Sequence, residues 1–156
     1  MIAKEFAKMI LCTDETKYCD RCKSCIEFES NNNPDFRIIE PDGNSLKIEQ
    51  IREFQNKVAE KPIISNRKVY IINDSDKMTT EAQNCLLKTL EEPPEKTIFM
   101  FCTTNPEKVP VTIQNRVMKF NLSKVPTLEI KSRLEYICQQ EGFKNYVLTK
   151  YQMKIL

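Results

Sequence analysis

KVYIINDSDKMTTEAQNCLLKTLEEPP, residues 68–94, decides the fold. It opens on four consecutive apolar residues, Val69–Ile72, rich in β-branched side chains and too short for a helix. That is the pattern of a strand buried on both faces of a parallel sheet. The polar cluster Asn73, Asp74, Ser75 and Asp76 ends it. A helix start follows, with Thr80 as the expected N-cap and Gln83 three residues on. Ala82, Cys85, Leu86, Thr89 and Leu90 then recur on one helical face. Glu91-Glu92-Pro93-Pro94 stops the helix, because proline excludes the residue before it from helical dihedrals. A buried strand with acidic residues at its carboxyl end, followed by a helix, places carboxylates in the crevice where open α/β sheets bind ligands.

Composition narrows what such a crevice does here. At 156 residues the chain is long enough for one domain that buries about two thirds of its unfolded surface. The 24 basic and 22 acidic residues leave a net charge of +2, so bulk charge argues for neither nucleic acid nor membrane. No apolar run approaches the roughly 18 residues of a membrane span, and Lys4, Glu5 and Lys8 interrupt the N-terminal apolar stretch too early for a signal peptide. A cytosolic protein is expected. There is no histidine, which removes the usual general base near neutral pH and any Ser-His or Cys-His nucleophile pair. The glycines are Gly43 and Gly142 alone, so this polypeptide contains no glycine-rich phosphate cradle.

LLKTLEEPP after a buried strand closely resembles the AAA+ subunits of the bacterial DNA polymerase III clamp loader, and VYIINDSDKM stands where that family carries its Walker B motif. An ATPase there would show Asp-Glu, one carboxylate for magnesium and one for the attacking water. This chain has Asn73-Asp74. Loss of the first carboxylate resembles the delta prime-like branch of the family, which does not hydrolyse ATP.

At the N-terminus, Ile2, Ala3, Phe6, Ala7 and Ile10 mark one face of a helix, with Lys4, Glu5 and Lys8 outside it. The run IAKEFAKMILC resembles the helix that follows the phosphate loop in that family, which would put the first strand and the P-loop ahead of this sequence. Cys12, Cys19, Cys22 and Cys25 come next, as C-x6-C-x2-C-x2-C. Two overlapping C-x2-C steps allow four thiolates to close on one ion, and zinc prefers such a tetrahedral sulfur cage in structural sites. Without histidine, a zinc site must be all cysteine. Disulfides are disfavoured in a reducing cytosol, while an iron-sulfur cluster also takes four thiolates, and unmetallated thiols are the remaining alternative. The family carries a similar zinc module at this place. Cys85, Cys102 and Cys138 fall on apolar faces as core residues.

Residues 25–30 continue a helix that Asn31–Pro34 ends. Phe36–Glu40 is a short strand, Pro41–Asn44 a turn, and Ser45 the expected cap of a helix with Ile48, Ile51, Phe54, Gln55 and Val58 toward the core. KIEQIREF resembles a helix of the same family, and its Lys47, Arg52 and Lys57 could face DNA or a partner, although a charged flank is usually a solvated face. Ile98–Cys102 is another buried strand. Thr104 then stands at the sensor 1 position of AAA+ proteins; without a P-loop it reads as a strand-end hydroxyl. VPVTIQNR, residues 109–116, resembles the family segment whose arginine reaches the ATP of a neighbouring subunit, which makes Arg116 a finger offered in trans. Met118–Leu122 reads as a last strand. Pro126 and Thr127 open a helix carrying Ile130, Leu134, Ile137, Cys138 and Glu141 on one side, stopped by Gly142; it resembles the first helix of the family's lid.

The resemblance therefore implies an α/β chain with a RecA-like, three-layer AAA+ core and a parallel sheet, lacking the first strand and P-loop. A partial core over residues 1–123 would hold a small zinc module (12–25), and residues 124–156 would begin a helical lid. The implied role is an accessory, non-motor clamp-loader subunit of the DNA polymerase III assembly. Its implied partners are the gamma/tau and delta subunits and, through the assembly, the sliding clamp and primed DNA, with no membrane. Structural zinc is implied, and tight ATP binding by this chain is not. The rival readings are an ATPase motor subunit of the same loader and a zinc-containing nucleic-acid module, which near-neutral charge and a cysteine cluster with Tyr18 as its sole aromatic weigh against. A missing first strand would also leave the edge of Ile98–Cys102 open. The strand at 118–122, the tail 145–156 or a second copy of the chain is expected to cover it.

Overall fold

A computed structural model of the chain describes residues 2–142. It divides into two compact units, Met1–Met118 and Lys119–Leu156.

The first unit is built on three parallel strands in the order β1 (Phe36–Ile39), β2 (Lys68–Ile72), β3 (Thr97–Phe101). Phe36 lies opposite Val69, and Lys68 opposite Thr97. Every residue of β2 is buried, as the unbroken apolar run predicts, because helices cover both faces. Tyr70 and Ile72 face one core with Ile51, Phe54 and Val58 of α3 (Ile48–Val58), Ala82 and Leu86 of α4 (Thr80–Glu91) and Ile113 of α5 (Val111–Gln114). Val69 and Ile71 face the other, with Ala7 and Leu11 of α1 (Ile2–Leu11) and Phe28 of α2 (Lys23–Glu29). The alternation of side chains along a strand produces this helix-sheet-helix sandwich. Two short 3₁₀ turns, Ser75–Lys77 and Pro106–Lys108, follow β2 and β3. In the second unit α6 spans Thr127–Gln140, with no residue of it fully buried, and Gly142 takes a left-handed φ of 75° just past its end.

Four local expectations are corrected. The cap of α4 is Thr79, whose hydroxyl accepts the Ala82 N–H, so the helix begins one residue earlier than a Thr80 cap implies. Helix α3 is capped at Lys47, with the Gln50 side chain accepting its N–H at 3.1 Å; Ser45 instead forms a bridge with Asp42. On α1 the buried residues are Ala7, Lys8 and Leu11, while Ile2 and Phe6 are exposed. Residues 118–122 form no strand. Apolar alternation suggests one there, but a strand exists only where a partner satisfies its backbone groups, and among the described residues the sheet has three members. The tail 145–156 lies outside the described residues.

Candidate metal centre and the carboxyl ends of the strands

The four cysteines of the N-terminal cluster converge. Cys12 directly follows α1, and its N–H donates to the Lys8 carbonyl at 3.0 Å. Left-handed backbone at Lys17 and Asp20 bends the loop back. Cys22 caps α2 with its sulfur, which accepts the Cys25 N–H at 3.4 Å, and Cys19 Sγ accepts the Cys22 N–H at 3.3 Å. All four Sγ atoms lie within 4.8 Å of one another. Cys12 Sγ is 3.6 Å from that of Cys19 and 4.0 Å from that of Cys22. Burial opposes ionisation of Cys22, but hydrogen bonds from Thr13 and Cys25 prevail and bring its thiol down to about 5. Burial, and then the neighbouring Cys22 and Cys12 sulfurs, push Cys25 up to about 12. Crowded at this spacing, neighbouring sulfurs resist carrying negative charge together unless a cation is shared between them. The cluster could hold a metal ion.

Behind the cluster stands an ionic hub that sequence periodicity misses. Lys8 is 4% exposed; its ammonium pairs with Asp20 at 2.5 Å and with Glu29, and lies 4.8 Å from the Tyr18 ring centre. Hydrogen bonds to Asp20 and then Glu29 raise its pKa well above the ordinary lysine range. Asp35 is a second such residue. It is buried, and its carboxylate accepts the N–H groups of Ile63, Ile64 and Ser65, each at 2.7 Å, fastening the loop that leads into β2. A lone charged residue in a helix or before a strand carries no pattern that would single it out.

At the carboxyl ends of the strands the polar residues pair with each other. Asn73 donates its side-chain amide to Glu40 at 3.3 Å. Asp74 adopts a left-handed conformation, φ 48°, and pairs with Lys77 at 2.8 Å. Asp76 accepts the Thr103 hydroxyl at 2.5 Å and the Asn105 amide at 3.1 Å. The engaged hydroxyl is that of Thr103; Thr104 is exposed and accepts a bond from Asn105 at 3.2 Å. Arg116 sits apart from this group, just beyond α5. Its guanidinium pairs with Glu91 at the end of α4 and donates to the Thr112 carbonyl at 2.7 Å. Of the basic residues on α3, Lys57 is committed to Glu53 at 2.9 Å, while Lys47 and Arg52 are exposed.

A parallel sheet covered on both faces, with acidic and hydroxyl residues at its strand ends, defines an α/β core with a polar crevice at its carboxyl edge. The family described as "DNA polymerase III, delta subunit" matches residues 1–126, and the chain belongs to this clamp-loader family. It is 38% identical over 154 residues to DNA polymerase III subunit tau/gamma of Haemophilus influenzae, covering 96% of this chain and 22% of that protein. Against DNA polymerase III subunit delta' of Bacillus subtilis it is 35% identical over 129 residues, 82% of this chain and 39% of that one. A solved structure of a DNA polymerase III gamma subunit-related protein from Thermotoga maritima superposes with a TM-score of 0.59 at 26% identity, covering 75% of this chain and 42% of that one. The chain thus spans well under half the length of each of these relatives.

Proposed function

We propose that this chain is the core of an accessory, non-motor subunit of a DNA polymerase III clamp loader, delta prime-like in role. It would join gamma/tau and delta-type neighbours in the cytoplasm and act on the sliding clamp and primed DNA through the assembly. The observation that carries the reading is the state of the Walker B position. Asn73 supplies an amide where magnesium needs a carboxylate, and that amide is bonded to Glu40. Asp74, the remaining carboxylate, is paired with Lys77. Hydrolysis demands groups free to hold a metal ion and orient water, and these side chains are bonded elsewhere. Arg116 is held at the surface by Glu91 with one third of its side chain exposed, and as a finger it would exchange that carboxylate for a neighbour's ATP. Residues 124–156 would begin the lid, following a partial core over residues 1–123.

The cysteine site is proposed to hold one structural zinc. Zinc-sulfur bonds of about 2.3 Å imply tetrahedral edges of about 3.8 Å, and the sulfur separations of 3.6 and 4.0 Å lie on either side of that figure. Zinc with four thiolates has no open position, so it would tie α1 to α2 and do no chemistry.

Reconstituting the full-length protein with its partner subunits tests the role. The isolated subunit should neither bind ATP at micromolar concentration nor hydrolyse it. ATP binding abolished by Asp74→Ala would instead establish the motor reading, which the similarity to a tau/gamma subunit over 96% of this chain favours.

A further inference from the structure

We infer that Lys8 is the positioning residue of the four-cysteine site: its ammonium, clasped by Asp20 of the cysteine loop and Glu29 of α2, sets the spacing of Cys19 and Cys22. The inference rests on the metal reading of the cluster.

Lys8 stands where the three segments that bear the four cysteines meet. The Lys8 carbonyl accepts the Cys12 N–H at 3.0 Å. Its ammonium reaches Asp20, which lies between Cys19 and Cys22, at 2.5 Å. It also reaches Glu29, the last residue of the helix that Cys22 caps. Tyr18, adjacent to Cys19, packs its ring over the same ammonium and donates its hydroxyl to Glu5 at 2.7 Å, one turn before Lys8 on α1. Asp20 has a φ of 55°, a left-handed conformation that a side chain with a Cβ enters at a cost. Such a bend persists where surrounding contacts over-determine it, and the ion pair to Lys8 acts there together with the Asp20 backbone bond to the Cys25 sulfur.

The distribution of burial points the same way. Lys8 is buried, yet its two carboxylate partners are 59% and 65% exposed. Burying an ammonium against half-solvated partners is a weak source of net stability, because desolvation consumes much of the Coulomb gain. A methionine at this place on α1 would pack without that cost. What the lysine contributes is geometry: it draws the loop and α2 to a common point before a metal arrives, so less ordering remains when the metal binds. A divalent ion in four thiolates also carries two net negative charges, and a cation beside the loop lowers the field that the cage must bear.

The test uses the full-length protein and zinc itself, with affinity read by chelator competition and coordination by the ligand-field spectrum of the cobalt-substituted site. Lys8→Met and Asp20→Asn should each weaken zinc binding about 10- to 100-fold, the usual effect of removing a group that orients metal ligands. Lys8→Arg, which keeps the charge, should recover most of the loss. Melting each protein with and without zinc separates positioning from general stability. The zinc-dependent rise in Tm should shrink, while metal-free Asp20→Asn melts with the metal-free wild type. Should Lys8→Met fail to fold, Asp20→Asn alone decides. Zinc affinity and cobalt spectrum unchanged in the variants would overturn the inference and leave the metal reading standing. Wild-type protein that takes up no zinc would overturn both.

Discussion

Arg116 and Glu91 are joined across two helices: the guanidinium of a residue just past α5 meets the carboxylate that ends α4 at 2.6 Å. The second guanidinium edge donates to the Thr112 carbonyl. Together these contacts fix the plane and direction of the charge, which a free surface arginine would not do. In the reconstituted assembly Arg116→Ala is expected to slow a neighbour's ATP turnover by up to the order of 10³, with assembly intact on gel filtration. The pair is partly solvated, so its loss should change the chain's own stability by about 1 kcal/mol or less. Unaltered turnover would remove the finger role.

Asp35 makes a prediction about stability alone. Three backbone N–H groups converge on its buried carboxylate, and each donor left unsatisfied costs about 1–3 kcal/mol. Asp35→Ala is expected to lose on the order of 3 kcal/mol or more in urea unfolding. A loss below 1 kcal/mol would mean that the 63–65 loop finds other acceptors.

Asp76 links the strand ends to acid sensitivity. The Thr103 hydroxyl bond, followed by the Asn105 amide bond, lowers its pKa below the ordinary 3.8. A carboxylate with a depressed folded-state pKa adds stability above its unfolded value, and that contribution is lost as pH falls through the folded one. Asp76→Asn should therefore be less stable than wild type at pH 7, and the gap should begin to narrow below about pH 4 and close as pH falls through the lower folded-state value. Urea midpoints measured at pH 7 and pH 3 check this, and a gap as large at pH 3 as at pH 7 would exclude the linkage.

The metal reading is the simplest to examine. Elemental analysis is expected to find one zinc per chain, and Cys25→Ser, which breaks the cage at a buried position, should lower zinc content and Tm together. Free thiols titrating at all four positions in zinc-free protein would refute it.

The outer edge of β3 is the last point. Among the described residues β3 pairs only with β2, and Phe6, Met9 and Ile98 line a shallow apolar recess with Ile10, Lys17 and Arg67. Unpaired edges beside apolar surface recruit a partner. The 156-residue chain studied alone is expected to self-associate, or to show Thr97–Phe101 amides protected from hydrogen exchange. A monomer whose amides there exchange as fast as those of a loop would show the edge to be uncovered.

Two things were legible before any coordinates. The first is periodicity. Val69–Ile72 had to be a strand buried on both faces, and 80–91 a one-faced helix, because burial of apolar groups is fixed by side-chain spacing along regular backbone. The second is the cysteine set, since the C-x2-C steps place thiols three residues apart, within reach of one ion, while their exact spacing is left to the surrounding fold. What tertiary structure alone decided concerns charge and partnership. Nothing local to Lys8 announces that it turns inward; that follows from Asp20 and Glu29, which are distant in sequence and arrive with the loop and α2. Asp35 likewise acquires its role from a loop nearly thirty residues away. Residues 118–122 show the same limit in reverse. They have the alternation of a strand, but a strand is completed by a neighbour's hydrogen bonds, and no stretch of sequence carries its neighbour with it.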